Sequence, residues 1–199
     1  MLQMLGSTRP FTMQVFKINV EKTVQAIAVL LTAVGHRRLE YLSIIKQLYF
    51  ADRESWGETG APITGDVPVA MKNGPVLSGV YDLVTHDTDN GLEYWTRFLH
   101  KEDYDLELKA DPGRDLLSRY EIGKLQEVSA RHKDHNWRDL VRISHEVPEW
   151  QWNNPDQAGC KMIPIPLGDI LKAVGRENDA EEIMKDAAAD VAFRKALGS

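Results

Sequence analysis

The three histidines near residue 140 come closest to a metal centre. His132 and His135 are separated by two residues, and His145 follows ten residues later. Three imidazoles plus a water form the ligand set of many catalytic zinc sites, so a metal-dependent hydrolase is one hypothesis. The simpler interpretation places His132 and His135 in a solvated turn at a helix end. We favour that interpretation and predict no metal or other cofactor.

Acidic and basic groups also stand side by side at Asp52, Arg53 and Glu54. Consecutive helical residues face different directions, so these three cannot converge on one substrate. Asp52 falls in the middle of an apolar helical stripe, and a buried carboxylate is costly unless it is hydrogen-bonded or paired. We therefore expect Asp52 to be structural and to accept hydrogen bonds from a loop backbone, a hydroxyl or a cation. The stripe consists of Tyr41, Ile45, Leu48 and Trp56.

Other signatures of enzymes are missing from the sequence. There is no G-x-S-x-G nucleophile elbow, no P-loop and no G-x-G-x-x-G turn. Cys160, the only cysteine, stands beside Lys161 without an assigned base, which favours an incidental thiol. We predict that the chain is not an enzyme.

Composition narrows the class of partner. The net charge of −6 and the pI near 5.5 disfavour nucleic acid and suit a basic protein partner.

The sequence also bears on the cellular compartment. A single cysteine permits no intrachain disulfide, the N-terminal residues carry no export signal, and no apolar segment reaches the ~20 residues of a membrane span. We expect a cytoplasmic, soluble protein without membrane or nucleic-acid partners. A transcription regulator ranks last, because no basic recognition helix stands out.

Apolar periodicity predicts a mainly helical protein. We expect a helix from Asn19 to Gly35 and a central, mostly buried helix over residues 39–57. A capping box opens another helix at Ser118, and Asn136 caps a short helix that turns His145 inward. Two final helices follow, over 167–174 and 179–197.

Other segments are shorter, and they show either alternating apolar and polar residues or residue types that are typical of turns. We predict a strand over 67–71, a helix starting at Pro75, and a β-hairpin of strands 94–99 and 104–109. Residues 149–166 are rich in turn formers and read as loop. The fold class is therefore α+β and mainly α-helical: a helical core with a short strand and a β-hairpin in one compact domain.

Three motifs in fixed order resemble the Panacea domain, also called the SocA-like antitoxin family. They read LYFADRES (48–55), GAPITGD (60–66) and VAMKNGPV (69–76), and His145 and Trp150 resemble the family's later His and Trp. The resemblance divides the chain into a tail (1–14), the Panacea-like domain (15–150), and a C-terminal loop and helices packed on it (151–199). Pro68 departs from the pattern and predicts an edge strand.

The resemblance implies an antitoxin of a bacterial or phage toxin–antitoxin pair, which binds its toxin without catalysis. The partner would be a toxin from a neighbouring gene, either masked directly or delivered to a protease. The motif residues are implied to form a hydrogen-bonded scaffold: Asp52, Thr64, Asp66, Lys72, Gly74, Pro75 and His145.

Two expectations follow for individual side chains. Asp52 should bond the segment between Gly60 and Gly74, where Thr64 offers a hydroxyl and Lys72 an ammonium. The tryptophans near residue 150 are candidate anchors for the partner, with a role in the core as the alternative. They are Trp137, Trp150 and Trp152.

Overall fold

The computed structural model describes residues 17–85 and 88–196. The longer helices are α1 (Val20–Ala33), α2 (Tyr41–Thr59), α5 (Arg119–His132) and α10 (Ala180–Ala196). The shorter ones are α3 (Ser78–Thr85), α4 (Leu92–Phe98), α6 (Trp137–Ser144), α7 (Pro148–Trp152), α8 (Pro155–Ala158) and α9 (Leu167–Ala173). The strands are β1 (Arg38–Glu40), β2 (Pro68–Met71), β3 (Gly74–Leu77), β4 (Leu99–Glu102), β5 (Asp105–Leu108) and β6 (Met162–Pro164).

The fold is α+β and mainly helical, as predicted, with two small antiparallel sheets. One sheet has the strand order β1-β5-β4 and the other β3-β2-β6. The sequence had indicated only one short strand and one hairpin, because β1 and β6 have three residues each. Strands this short leave too little alternation for a periodicity argument.

Local signals fix the ends of the main helices. The Asn19 side chain accepts from the Lys22 amide at the start of α1, and the capping boxes of α5 and α6 are both formed. Gly60 ends α2 at a φ of +76°, a conformation that glycine adopts without steric cost. The predicted central helix is therefore confirmed, shifted by two residues. No described helix is long and apolar enough to cross a membrane.

Two apolar clusters stabilise the packing. The main one joins α1, α2 and α5 through fully buried side chains such as Ile27, Ile45 and Leu125. A smaller one lies at the end of α2 around Trp56 and takes in residues of β2, α7, α9 and α10. Each such side chain contributes about 1.5–3 kcal/mol when fully buried. The C-terminal helices thus pack against α2, while the domain division after residue 150 stays a prediction.

The hairpin was predicted in the right place but with a wrong first strand. Residues 92–98 form α4, which puts the buried Trp95 on the core and brings the rings of Tyr94 and Phe98 within 5.0 Å. Aromatic residues favour strands in isolation, yet at a spacing of four they share a helix face. Tyr104, the first residue of the second predicted strand, lies instead in the turn before β5 and is 73% exposed.

The helix predicted to start at Pro75 begins instead at Ser78. Pro75 lies in β3, opposite Ala70 of β2. Pro68 was expected to mark an edge strand, but β2 is the middle strand of its sheet. Pro68 is tolerated because it is the first residue of that strand.

The segment predicted as loop, 149–166, contains α7, α8 and β6. Pro148 and Pro155 each occupy the first turn of a short helix, where a missing backbone N–H costs nothing. The predicted helices over 167–174 and 179–197 correspond to α9 and α10. The predicted tail, 1–14, lies outside the described residues.

Candidate functional site

Asp52 bonds the loop that follows α2, as expected from the sequence. Its Oδ1 accepts from the backbone amides of Ile63 (2.9 Å) and Thr64 (3.0 Å), and its Oδ2 accepts from the Thr64 hydroxyl (2.5 Å). Asp52 is 3% exposed. Burial raises the pKa of this carboxyl to about 7, against the lowering effect of the Thr64 and Ile63 hydrogen bonds.

Asp66 holds the start of α3. Its Oδ1 accepts from the amides of Val67 (2.7 Å) and Gly79 (2.9 Å), and its Oδ2 accepts from Val80 (2.8 Å). The positive end of a helix favours such a carboxylate, even one far away in sequence. Burial raises the pKa of Asp66, while the three backbone bonds lower it.

A small cavity of about 10 Å³ has both Asp52 and Asp66 in its lining. That volume is no more than one water molecule requires. Its lining includes Asp52 and Asp66, together with Tyr49, Arg53 and Trp56. The acidic pair therefore lies in a packed interior, in a space too small for a substrate.

Lys46 is a buried lysine that sequence reasoning missed, and it lies at the turn between β2 and β3. Its Nζ donates to the carbonyl oxygen of Pro75 at 2.7 Å, and burial lowers its pKa to about 7. Lys72, predicted to offer an ammonium to Asp52, is exposed and forms no bond with Asp52 among the described residues, so that part of the prediction was wrong. The lysine on the apolar face of α2 was the available signal, because a charged residue in such a stripe needs a partner.

Gly74 lies where the backbone approaches its neighbours most closely. It has a φ of +88°, and a Cβ placed there would collide with Ser144 Oγ and lie 2.9 Å from Lys46 Nζ. Only glycine combines this conformation with this lack of space. The turn between β2 and β3 is thereby held against α2 and α6.

His145 and Trp150 cover the same turn. Their rings stack at 4.1 Å with an angle of 7°, and Trp150 Nε1 donates to the carbonyl of Met71 at 3.0 Å. His145 Nε2 is buried and has no hydrogen-bond partner among the described residues. Burial lowers the His145 pKa, and the nearby Lys46 charge lowers it further.

Glu149 is a second residue that the sequence did not reveal. It is fully buried, and its Oε1 accepts from the Tyr49 hydroxyl (2.6 Å) and from Arg53 Nε (2.5 Å). Burial, then the charge of Glu149, raises the Tyr49 pKa. Glu149 and its partners lie about 100 residues apart in sequence, so a local sequence pattern could not have predicted their contact.

The three candidate metal ligands do not come together. His132 Nδ1 lies 3.1 Å from His135 Nδ1, whereas His145 stacks on Trp150 in a different contact. In the part of the chain that the structure describes, no group of three or more His, Cys, Asp or Glu side chains could hold a metal ion. His132 is also buried against Phe50 and not in a solvated turn. The three histidines therefore cannot bind one metal ion together, and the metal-centre hypothesis was wrong.

The three candidate anchor tryptophans occupy different environments. Trp150 belongs to the smaller apolar cluster, and Trp137 is partly buried with the Arg138 guanidinium 4.7 Å from its ring. Trp152 is 50% exposed, with Lys172 Nζ 5.4 Å from its ring. Cys160 is exposed, and its Sγ lies 3.5 Å from the carbonyl oxygen of Ala158.

The buried carboxylates of Asp52, Asp66 and Glu149 all accept hydrogen bonds from groups of the chain itself. The family model for the SocA-like antitoxins, Panacea domain, matches residues 44–151, and the chain belongs to this family. All seven motif residues from Asp52 to His145 lie inside the matched stretch. Neither the curated proteins nor the solved structures contain a match to this chain.

Proposed function

We propose that this chain is the antitoxin of a bacterial or phage toxin–antitoxin pair and neutralises its toxin by direct, stoichiometric binding in the cytoplasm. Membership of the SocA-like antitoxin family carries the proposal. The partner is a toxin protein encoded by a neighbouring gene. Its action requires no metal, cofactor or chemical step.

The buried polar residues support a scaffold role over a catalytic one. Asp52 and Asp66 each direct both carboxylate oxygens at hydrogen-bond donors of the chain itself. A catalytic acid or base must instead reach the substrate proton. We therefore assign Asp52, Thr64, Asp66, Gly74, Pro75 and His145 to holding the fold, and we add Lys46, whose Nζ donates to the Pro75 carbonyl oxygen.

Binding alone and delivery to a protease are two versions of this function. Masking would leave the toxin abundant and inactive, whereas delivery would shorten its lifetime. We propose masking, and a pulse-chase measurement of toxin half-life with and without this chain separates the two.

Co-expression with the product of the adjacent gene tests the proposal. Inducing that gene alone should stop growth, and adding this chain should restore growth and yield a complex of defined stoichiometry on one column. A Tyr104→Ala variant serves as a matched positive control, since the Tyr104 side chain is exposed and forms no hydrogen bond among the described residues. A neighbour that is harmless alone, or toxicity that persists without a complex, would refute the antitoxin assignment.

A further inference from the structure

We propose that the toxin is bound at the β2–β6 surface, which consists of Met71, Lys72, Lys161 and Met162, and that the toxin presents an apolar patch flanked by carboxylates there. The inference rests on the proposed function and adds the location and chemistry of the contact. One strand pairing brings the four residues together.

The register of β2 and β6 defines this surface. The two strands are antiparallel, and the pairing ends with Met71 opposite Met162. Side chains of such a pair lie on the same face of a sheet, with Cβ atoms about 4.5–5.5 Å apart. Lys72 directly follows Met71, and Lys161 directly precedes Met162, so both lysines lie just beyond the methionine pair at the same end of the sheet.

The methionine pair carries apolar surface from the core to the solvent. Met71 is half-buried and packs against the main apolar cluster, whereas Met162 is 50% exposed. Methionine is enriched at protein interfaces, because its flexible and polarisable side chain adapts to the surface it meets. We infer that Met162 is the apolar anchor of the contact.

The two lysines are exposed and unpaired. Neither Lys72 nor Lys161 forms an ion pair or a side-chain hydrogen bond among the described residues. Like charges at neighbouring positions of two paired strands repel each other, and a carboxylate brought next to both relieves the repulsion. Lys72 is also the motif residue that has no part in the buried network, and a toxin contact gives it a role.

The local charge at this surface differs in sign from that of the whole chain. Burial lowers the His145 pKa, and the Asp156 charge acts against this, which places Asp156 close to the β2–β3 turn that His145 covers. Asp156 forms no ion pair with either lysine, so two ammonium groups face one carboxylate. The net charge of −6 suggested a basic partner. A contact surface is instead governed by charges within about 8 Å, one Debye length at physiological salt.

Buried groups hold the surface in place from behind. Trp150 Nε1 donates to the Met71 carbonyl at 3.0 Å, and the Trp150 ring stacks on His145 at 4.1 Å. Gly74, two residues after Lys72, lets the turn lie against Ser144 of α6. A surface fixed before binding loses less conformational entropy in the complex. The buried motif residues thereby position an exposed one.

The free edge of β6 is unsuited to the addition of a strand from the partner. β6 is an outer strand of its sheet, but residues 164 and 166 are prolines and offer no backbone N–H. The strand is also only three residues long, and short edges discourage pairing. We therefore infer a contact through side chains and not through an extended sheet.

Variants of the full chain test the surface in the complex with the adjacent gene product. Lys72→Glu/Lys161→Glu should weaken binding at least tenfold, and this loss should shrink at high ionic strength, because salt screens exposed charges. Met162→Ala should also weaken binding at least tenfold, with little dependence on salt. Tyr104→Ala removes an exposed aromatic side chain elsewhere and should leave the Kd unchanged.

A charge-matched control separates local contact from net charge. Lys133→Glu/Lys185→Glu makes the same change in net charge at two exposed lysines without ion pairs among the described residues, one after α5 and one on α10. It should weaken binding far less than the Lys72/Lys161 pair does. Asp156→Asn should tighten binding, because it removes a carboxylate that competes with those of the toxin. Equal weakening by both lysine pairs would overturn the assignment of the acidic patch to this surface.

Chemical cross-linking identifies the partner groups directly. Carbodiimide treatment of the complex joins lysine amines to carboxylates that lie in contact with them. Mass spectrometry should find Lys72 or Lys161 linked to an aspartate or glutamate of the toxin. Links to the toxin that involve only other lysines of this chain would overturn the location.

The remaining outcomes distinguish this inference from the antitoxin assignment. Normal complex formation by both Lys72→Glu/Lys161→Glu and Met162→Ala would overturn the β2–β6 surface and leave the antitoxin function standing, whereas no complex with the unaltered chain would overturn both. A chain that is dimeric by itself and becomes monomeric in the lysine variant would assign the surface to a second copy and overturn the inference. The lysine variant decides the matter even if Met162→Ala is less stable, because both lysine side chains are exposed.

Discussion

The Thr64 hydroxyl lies 2.5 Å from Oδ2 of Asp52 and at the same time accepts from the Asp66 amide at 3.2 Å. One hydroxyl thereby connects the carboxylate of α2 with the residue that holds the start of α3. The loop between them is fixed at both ends. Removing either the Asp52 carboxylate or the Thr64 hydroxyl should therefore lower the free energy of unfolding of the whole chain.

Replacing Asp52 by alanine removes the acceptor of three hydrogen bonds inside the protein. We expect the free energy of unfolding to fall by about 3 kcal/mol, since each buried donor left without a partner costs about 1–3 kcal/mol. Asp52→Asn is the matched control, because its oxygen can still accept from the two amides, and it should cost about half as much. Urea unfolding followed by circular dichroism measures both. Equal stability of the alanine variant and the unaltered chain would contradict this role.

The raised pKa of Asp52 predicts a dependence of stability on pH. From about pH 4 to pH 7 the folded chain keeps a proton on Asp52 that the unfolded chain has released, so rising pH favours unfolding. The contribution is complete below the unfolded pKa of 3.8 and is lost as the pH passes about 7. Relative to Asp52→Asn, the unaltered chain should lose on the order of 4 kcal/mol across this window, because each pH unit between the two pKa values contributes about 1.4 kcal/mol.

The comparison with Asp52→Asn also removes the effect of Lys46. Its pKa is lowered to about 7, so its contribution changes above that pH, and it is present in both proteins. Urea unfolding at constant ionic strength from pH 5 to pH 8 gives the difference directly. Parallel stability curves for the two proteins would show that Asp52 titrates normally.

A Gly74→Ala substitution should destabilise the chain by about 3 kcal/mol or more. The alanine would have to adopt a positive φ and would also meet Ser144 Oγ and Lys46 Nζ. Gly159→Ala measures the cost of the positive φ alone, because Gly159 has a φ of +65° but nothing within 4 Å of the added Cβ. It should cost about 1 kcal/mol. If the two substitutions cost the same, crowding at Gly74 is not a constraint.

Glu149→Ala leaves Arg53 and Tyr49 without their shared partner. Breaking an ion pair by removing one buried member costs about 3–5 kcal/mol, and here Arg53 keeps some access to water, so we expect about 3 kcal/mol. Glu146→Ala is the control, since Glu146 is 70% exposed and lies 3.7 Å from Arg142. It should change stability little. Thermal and urea unfolding should rank the two variants in this order.

Features set by near neighbours in the sequence were predictable, and contacts across the fold were not. The Asn19 cap and the capping box at Ser118 depend on residues three apart, and Asp52 was placed inside by the wheel of its own helix. Lys46 meets a carbonyl 29 residues away, and Glu149 meets side chains about 100 residues away. Such partners are chosen by the packing of helices and sheets, which no short window contains.

The error at residues 94–99 has a different physical origin. Aromatic and β-branched residues favour extended backbone when a segment is judged alone. In the folded chain, Trp95 gains more by filling the core from α4 than the segment gains by pairing as a strand. Tertiary burial thus overrides the local preference, and the strand is confined to the four residues of β4.

Helix α1 ends before residue 44, yet its buried side chains form a large part of the main apolar cluster. The stretch that the family model matches is therefore shorter than the set of residues that build the main apolar cluster. Excised alone, residues 44–151 would present to water the surfaces that α1, α9 and α10 cover, and would aggregate. The residues matched by the family model and the residues needed for a closed core are therefore not the same. A truncated chain should keep α1, α9 and α10 as well as residues 44–151.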